Sequence, residues 1–219
     1  MPSSLRPALL AGLGALALAG CVSQPAGDLA TLARAPADAK GRVILLRGWN
    51  DLSPGIDPLA AEVRATGCEA AVFRHSQWRD LIAPLAGPRR GPLILLGHSF
   101  GGDAALQLAA ELGRAGVAVD LVVTLDPCWP PPVPRGVRVC RNYYLSRGLR
   151  GVLPFFRGVS LDLGANSGAA LTNLDLNGSH AELREPDTDH FTLTTNPHVH
   201  AAILADIAAV VAAPAAAAR

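Results

Sequence analysis

The chain has 219 residues, half of them hydrophobic and 17% charged, with a formal net charge of +1. That length suits one domain with a sizeable core and is short for two. The composition excludes a disordered chain, and the lack of any Lys/Arg run beyond Arg89-Arg90 excludes a nucleic-acid footprint.

At the N-terminus, Arg6 and the free amine precede an apolar run from Ala8 to Ala19. The run is too short to span a bilayer stably and reads as the core of a signal peptide over residues 1–20. It ends in Leu18-Ala19-Gly20-Cys21, which resembles the lipobox of bacterial lipoproteins. The resemblance implies cleavage before Cys21 and acylation of both its thiol and its new amine. Several acyl chains anchor stably where one binds only marginally. Val22 after the cysteine points, by analogy with enterobacterial sorting, to the outer membrane. Residues 21–41, rich in Ala, Pro and Asp, read as a tether to a domain over 42–213.

From Arg42 onward, short apolar runs alternate with helical patterns, as in a parallel sheet covered on both faces. Val43 to Arg47 is a strand ended by Gly48. Ile56, Leu59, Ala60 and Val63 carry helical spacing, stopped by Gly67. Ala70 to Arg74 is the next strand, and the very apolar Leu93 to Leu96 is a central one. A helix from Asp103 to Leu112 is closed by Gly113 and Gly116. Strands follow over Val119 to Leu125, Val137 to Leu145 and Leu171 to Leu176, while Ser146 to Ala170 is Gly-rich and ambiguous. Asn196 as N-cap and Pro197 at the first helical position open a final helix through Val210.

Export would place the cysteines in an oxidising compartment. With Cys21 lipidated, Cys68, Cys128 and Cys140 remain, and Cys128 and Cys140 are near enough to close a short loop or stay free. Cys68 reads as a buried thiol.

The chemistry is concentrated in Gly97-His98-Ser99-Phe100-Gly101-Gly102, a G-x-S-x-G sequence between an apolar strand and a helix. A strand turning sharply into a helix lifts the serine hydroxyl out of the sheet, and flanking side chains would collide there. The helix N-terminus beside it favours developing negative charge. Two histidines follow the last strand. His190, in Asp189-His190-Phe191, has a helix close behind it to hold it, while His180 comes sooner after the strand. Rigid placement within reach of the hydroxyl favours His190 as general base. For the acid, Asp126 ends a clear strand, whereas Asp162 follows a poorly defined stretch, which favours Asp126. His198 and His200 fall in the final helix, His75 could line a pocket, and His98 sits inside the turn. The acids and histidines from Asp187 to His200 match no zinc or calcium spacing, and no Walker lysine follows the glycines, so a cofactor-free reaction is expected.

These motifs resemble the α/β-hydrolase family, specifically its small lipase, esterase and thioesterase-like members, over about residues 42 to 211. The resemblance implies an α/β fold with a mostly parallel central sheet and a triad in the order Ser99, Asp126, His190. It also implies an oxyanion hole made by the backbone amides of Phe100 and Trp49. The Arg47-Gly48-Trp49 stretch looks like the family's His-Gly-aromatic motif with Arg47 in place of the histidine. The expected activity is hydrolysis of an ester or thioester of a small-molecule or lipid acyl substrate, on the cell envelope. The alternatives are a non-catalytic envelope lipoprotein that binds a lipid or protein, and an acyltransferase using the same residues.

Overall fold

A computed structural model describes residues 26–34, 36–147, 158–164 and 168–213. The expected signal peptide and Cys21 lie outside the described residues.

Six strands form one sheet: β1 (Arg42–Arg47), β2 (Glu69–Arg74), β3 (Leu93–His98), β4 (Val119–Leu125), β5 (Val137–Tyr144) and β6 (Ala170–Asp175). Their spatial order is β2-β1-β3-β4-β5-β6, and every pairing is parallel. β3 is buried along its whole length, as its run of Leu and Ile requires of a central strand covered on both faces. The alternating side chains feed two separate cores. Val43, Leu45, Ile94 and Leu96 face α2 (Ile56–Ala65) and α5 (Pro197–Ala212), whereas Ile44, Leu46, Leu93 and Leu95 face α3 (Ile82–Ala86) and α4 (Phe100–Arg114).

The readable elements appear within a few residues of their expected positions. α5 begins where its cap signals placed it: the Asn196 side chain accepts from the amides of His198 and Val199, and Pro197 follows. α4 starts at Phe100, earlier than the apolar spacing indicated, because Ser99 alone separates the end of β3 from the helix and occupies its N-cap position. α3 and the single turn α1 (Ala30–Ala33) were not legible, being too short to establish a period. α1 also modifies the expected tether: Leu32 is buried and belongs to the same core cluster as Phe73 and Leu85, so part of that stretch docks on the domain.

Of the two alternatives left open for Cys128 and Cys140, the structure has the free thiols. Cys68, Cys128 and Cys140 are all free and buried, and Cys128 and Cys140 do not pair. Cys140 points from β5 into the α4 core, while Cys128 lies beyond the end of β4 at the sheet edge.

The topology positions the site. The chain passes from β1 outward to β2, then returns to the other side of β1 for β3, so the direction of winding reverses between β1 and β3. A crevice opens outside the carboxyl ends of the strands at such a reversal. Gly48 and Ser99, the residues following these two strands, occupy that place.

Candidate active site

The turn after β3 is held by close backbone packing. A Cβ on Gly97 would run into the Gly101 carbonyl, and one on Gly101 would run into the Leu46 carbonyl. Ser99 pays for the sharp corner with a left-handed backbone, φ 56° and ψ −127°. Such a conformation costs a non-glycine residue on the order of 1–3 kcal/mol and persists only where its surroundings enforce it. Its amide donates to the Leu125 carbonyl, so β4 is one of those surroundings.

Three of the expected residues meet here. His190 Nδ1 lies 2.7 Å from Asp126 Oδ2, and His190 Nε2 lies 3.1 Å from Ser99 Oγ. A carboxylate only accepts, so Nδ1 carries the proton and Nε2 is left to accept from the serine hydroxyl. Asp126 sits at the end of β4 with φ 44°, and its Oδ1 accepts from the Leu145 amide at 3.2 Å. Arg147 Nη2 stands 3.8 Å from Oδ2. The carboxylate is thus fixed by the neighbouring strand end as well as by the imidazole.

The other candidates lie elsewhere. His180 is bonded through Nδ1 to the adjacent Ser179 hydroxyl at the surface. Asp162 contributes its carbonyl to the Val133 amide. His198 pairs with Glu185 at the surface, and His200 ties the Glu62 carboxylate to the Thr194 carbonyl. His75 accepts a place on the rim: its Nδ1 is 3.2 Å from the Gly48 carbonyl, and its ring centroid is 5.7 Å from that of Phe100.

For the expected oxyanion donors, Gly48 is packed against Ser99, with a Cβ there falling 3.1 Å from the Ser99 Cβ. Trp49 opens a 3-10 turn (Trp49–Asp51), where leading amides lack intrahelical partners. Phe100 is the first residue of α4, directly after Ser99. Arg47 makes a two-point ion pair with Asp57, at 3.1 and 2.6 Å, which joins β1 to α2.

His98 has a more specific role than its place in the turn suggested. It is fully buried, and its Nε2 lies 2.7 Å from the His190 carbonyl, which can only accept. Nε2 therefore carries the proton and Nδ1 accepts from Ser53 Oγ at 2.7 Å. Ser53 in turn accepts from the Gly48 amide at 2.8 Å. Burial, reinforced by the His190 charge, lowers the His98 pKa to about 3, so the ring stays neutral. This chain ties the Gly48-Trp49 loop, the turn and the His190 loop together.

Two further residues carried no sequence signal. Cys128 Sγ lies 3.2 Å from Ser99 Oγ. The Ser99 proton is committed to His190, so the thiol donates to the serine oxygen. Burial pushes this thiol up to about 11. Asp103, in the first turn of α4, accepts from the Trp129 amide at 3.1 and 3.0 Å and from the Cys128 amide, fixing the loop that carries the thiol. Burial pushes its carboxyl up to about 6 against those two hydrogen bonds. Among the described residues no group of three or more His, Cys, Asp or Glu side chains is arranged to hold a metal ion.

No protein-family model matches the chain, and no curated protein matches it. Solved structures do. The type II thioesterase BorB from the borrelidin biosynthetic cluster is similar at a TM-score of 0.51 and 13% identity, over 81% of this chain and 94% of that one. The NocB thioesterase domain from the nocardicin cluster gives 0.47 and 14%, over 81% and 96%. An alpha/beta-superfamily protein from Xanthomonas campestris pv. campestris gives 0.42 and 14%, over 77% and 99%. At these identities the likeness concerns the fold, which is the α/β-hydrolase fold.

Proposed function

We propose that this protein is a serine hydrolase that cleaves an ester or thioester through an acyl-enzyme on Ser99. The observation that carries the reading is the unbroken hydrogen-bonded row from Asp126 through His190 to Ser99, at 2.7 and 3.1 Å. In this reading Ser99 Oγ attacks the carbonyl carbon while His190 Nε2 takes its proton. The imidazolium then returns that proton to the departing alcohol or thiol, and water repeats the cycle to release the acid. Asp126 holds the imidazole tautomer and balances its charge. The amides of Phe100 and Trp49 receive the oxyanion, a contribution that in other enzymes amounts to about 100-fold or more per donor. The type II thioesterase activity named for BorB adds thioesters to the substrates worth testing. Acylation of Cys21 after export would hold the enzyme on the envelope.

A serine, a histidine and an aspartate in this order of contact disfavour a scaffold that merely binds a lipid or protein. The test is labelling by a fluorophosphonate and hydrolysis of p-nitrophenyl esters. Both are expected to disappear in Ser99→Ala with the circular dichroism spectrum unchanged, and labelling that survives in that variant removes the proposal.

A further inference from the structure

The geometry points to a lipid bilayer as the partner of the catalytic edge, so that the mouth over Ser99 rests on the membrane from which its acyl substrate comes. This inference rests on the hydrolase reading for the substrate, but its surface argument is independent of it.

The first observation is where exposed apolar side chains collect. The described residues have five large hydrophobic side chains that are exposed, and four of them border the site. Trp49 is 61% exposed, Leu52 45%, Trp129 44% and Phe191 36%. Each is next in sequence to a residue already placed at the site: Gly48, Ser53, Cys128 and His190 respectively. They come from three separate loops, after β1, after β4 and before α5, so their convergence is a product of the fold. The rings continue inward, with Trp129 5.5 Å from Phe100 and Phe191 5.1 Å from His190. Clustered apolar exposure marks an interaction surface. Tryptophan in particular favours the boundary between headgroups and acyl chains, where its ring is apolar and its N–H stays wet.

The second observation concerns the chain that leads to the domain. Gly27 is clamped by the Gln77 side chain, which accepts from its amide and donates to its carbonyl, both at 3.0 Å. A side chain on Gly27 would strike the Phe73 ring near the carboxyl end of β2. Gln77 closes the short turn that begins at His75, the residue in contact with Gly48 and Phe100. The polypeptide therefore joins the domain at its catalytic edge. Five residues lie between Cys21 and Gly27, so six Cα-to-Cα steps join them. Fully extended, they span about 20 Å at most. Acyl chains on Cys21, or the apolar run just before it, would hold the catalytic edge within that distance of a bilayer. Chain attachment and apolar rim thus select the same face.

The test uses the full chain carrying Trp78→Phe, so that Trp49 and Trp129 report alone. It is reconstituted on vesicles of phosphatidylcholine and phosphatidylglycerol with brominated acyl chains, which quench tryptophan on contact. Emission is expected to fall by about half or more relative to unbrominated vesicles. A chain that stays off the vesicles, or one that sediments with them unquenched, overturns the proposal. Leu52→Asp provides a second arm. Its hydrolysis of an ester carried in the vesicle is expected to fall about ten-fold, with hydrolysis of water-soluble p-nitrophenyl acetate unchanged. Equal rates for Leu52→Asp and its parent on the vesicle-borne ester also overturn it. A parent chain that is quenched but inert toward p-nitrophenyl acetate would support the docking and refute the hydrolase reading alone.

Discussion

Ser53→Ala tests the structural logic of the site without touching the reacting atoms. The Ser53 hydroxyl donates to His98 Nδ1 and accepts from the Gly48 amide, at 2.7 and 2.8 Å. Its removal leaves a buried acceptor and a buried donor unpaired, because His98 Nε2 is committed to the His190 carbonyl and the ring cannot flip to compensate. An unsatisfied buried polar group costs about 1–3 kcal/mol, so two should cost on the order of 3 kcal/mol. Against a total stability of roughly 5–15 kcal/mol, that is a large fraction. Urea unfolding followed by tryptophan fluorescence measures it. Catalysis should fall as well, because the Gly48-Trp49 loop loses its anchor. Misplacement by about 1 Å can cost on the order of 100-fold, so kcat/KM for a p-nitrophenyl ester is expected to drop by about 10- to 100-fold. In a His98→Phe background the same change should cost clearly less, since one of the two orphaned groups is already gone. A stability change below about 0.5 kcal/mol, the range of ordinary surface substitutions, would refute the network.

Ser99→Gly should raise stability by about 1 kcal/mol or more while abolishing fluorophosphonate labelling, because glycine accepts the backbone that Ser99 adopts at φ 56°; an unchanged unfolding midpoint counts against strain in the turn. Asp126→Asn should lower kcat/KM by about 1,000- to 10,000-fold by presenting an amide N–H₂ to His190 Nδ1 and reversing its tautomer, whereas His180→Ala should leave it unchanged. Asp103 is pushed up to about 6 from 3.8. A carboxyl raised by folding contributes stability that is complete below about pH 4 and is lost as pH rises through about 6, on the order of 3 kcal/mol. The stability of Asp103→Asn relative to wild type should therefore shift in the variant's favour between about pH 4 and pH 7, as read from urea midpoints; a constant difference refutes the assignment. Iodoacetamide at neutral pH should leave ester hydrolysis intact, since Cys128 is buried and its thiol is pushed up to about 11.

The fold and the three residues that meet at the turn, Ser99, Asp126 and His190, were legible because both depend on local pattern. β3 opens with a run of four aliphatic residues, and the glycine-flanked turn that follows has a steric signature. Asp126 could be preferred because its strand was readable; the stretch before Asp162 was not, and the structure explains why. Residues 158–164 run alongside the sheet without joining it as a strand. Side-chain amides hold them: Asn173 accepts from the Leu161 amide and donates to its carbonyl, and Asn142 donates to the Val159 carbonyl. No hydrophobic alternation is needed for that arrangement, so none is present to be read. Cys128, Asp103 and Ser53 were illegible for a different reason. Each acts across the fold, by contacts 29, 26 and 45 residues away in sequence, and a loop cysteine or serine has no spacing that announces such a partner.

The two imidazoles at the centre of the site show how environment separates identical side chains. His98, the last residue of β3, and His190 have ring centroids 4.8 Å apart, yet only one can serve as the base in the proposed reaction. His98 faces a hydroxyl on one nitrogen and a carbonyl on the other, both satisfied by the neutral ring, and it is fully buried. A proton added there would meet no compensating charge, which is why its pKa falls to about 3. His190 has a carboxylate on Nδ1 and a hydroxyl on Nε2. A proton passed from Ser99 to this ring stays next to the Asp126 charge. The neutral ring also serves the other: its donated hydrogen bond fixes the His190 backbone, so that Nε2 is aimed before substrate arrives. In the proposed reaction one histidine moves the proton, and the second, permanently neutral, holds the first in place without competing for it.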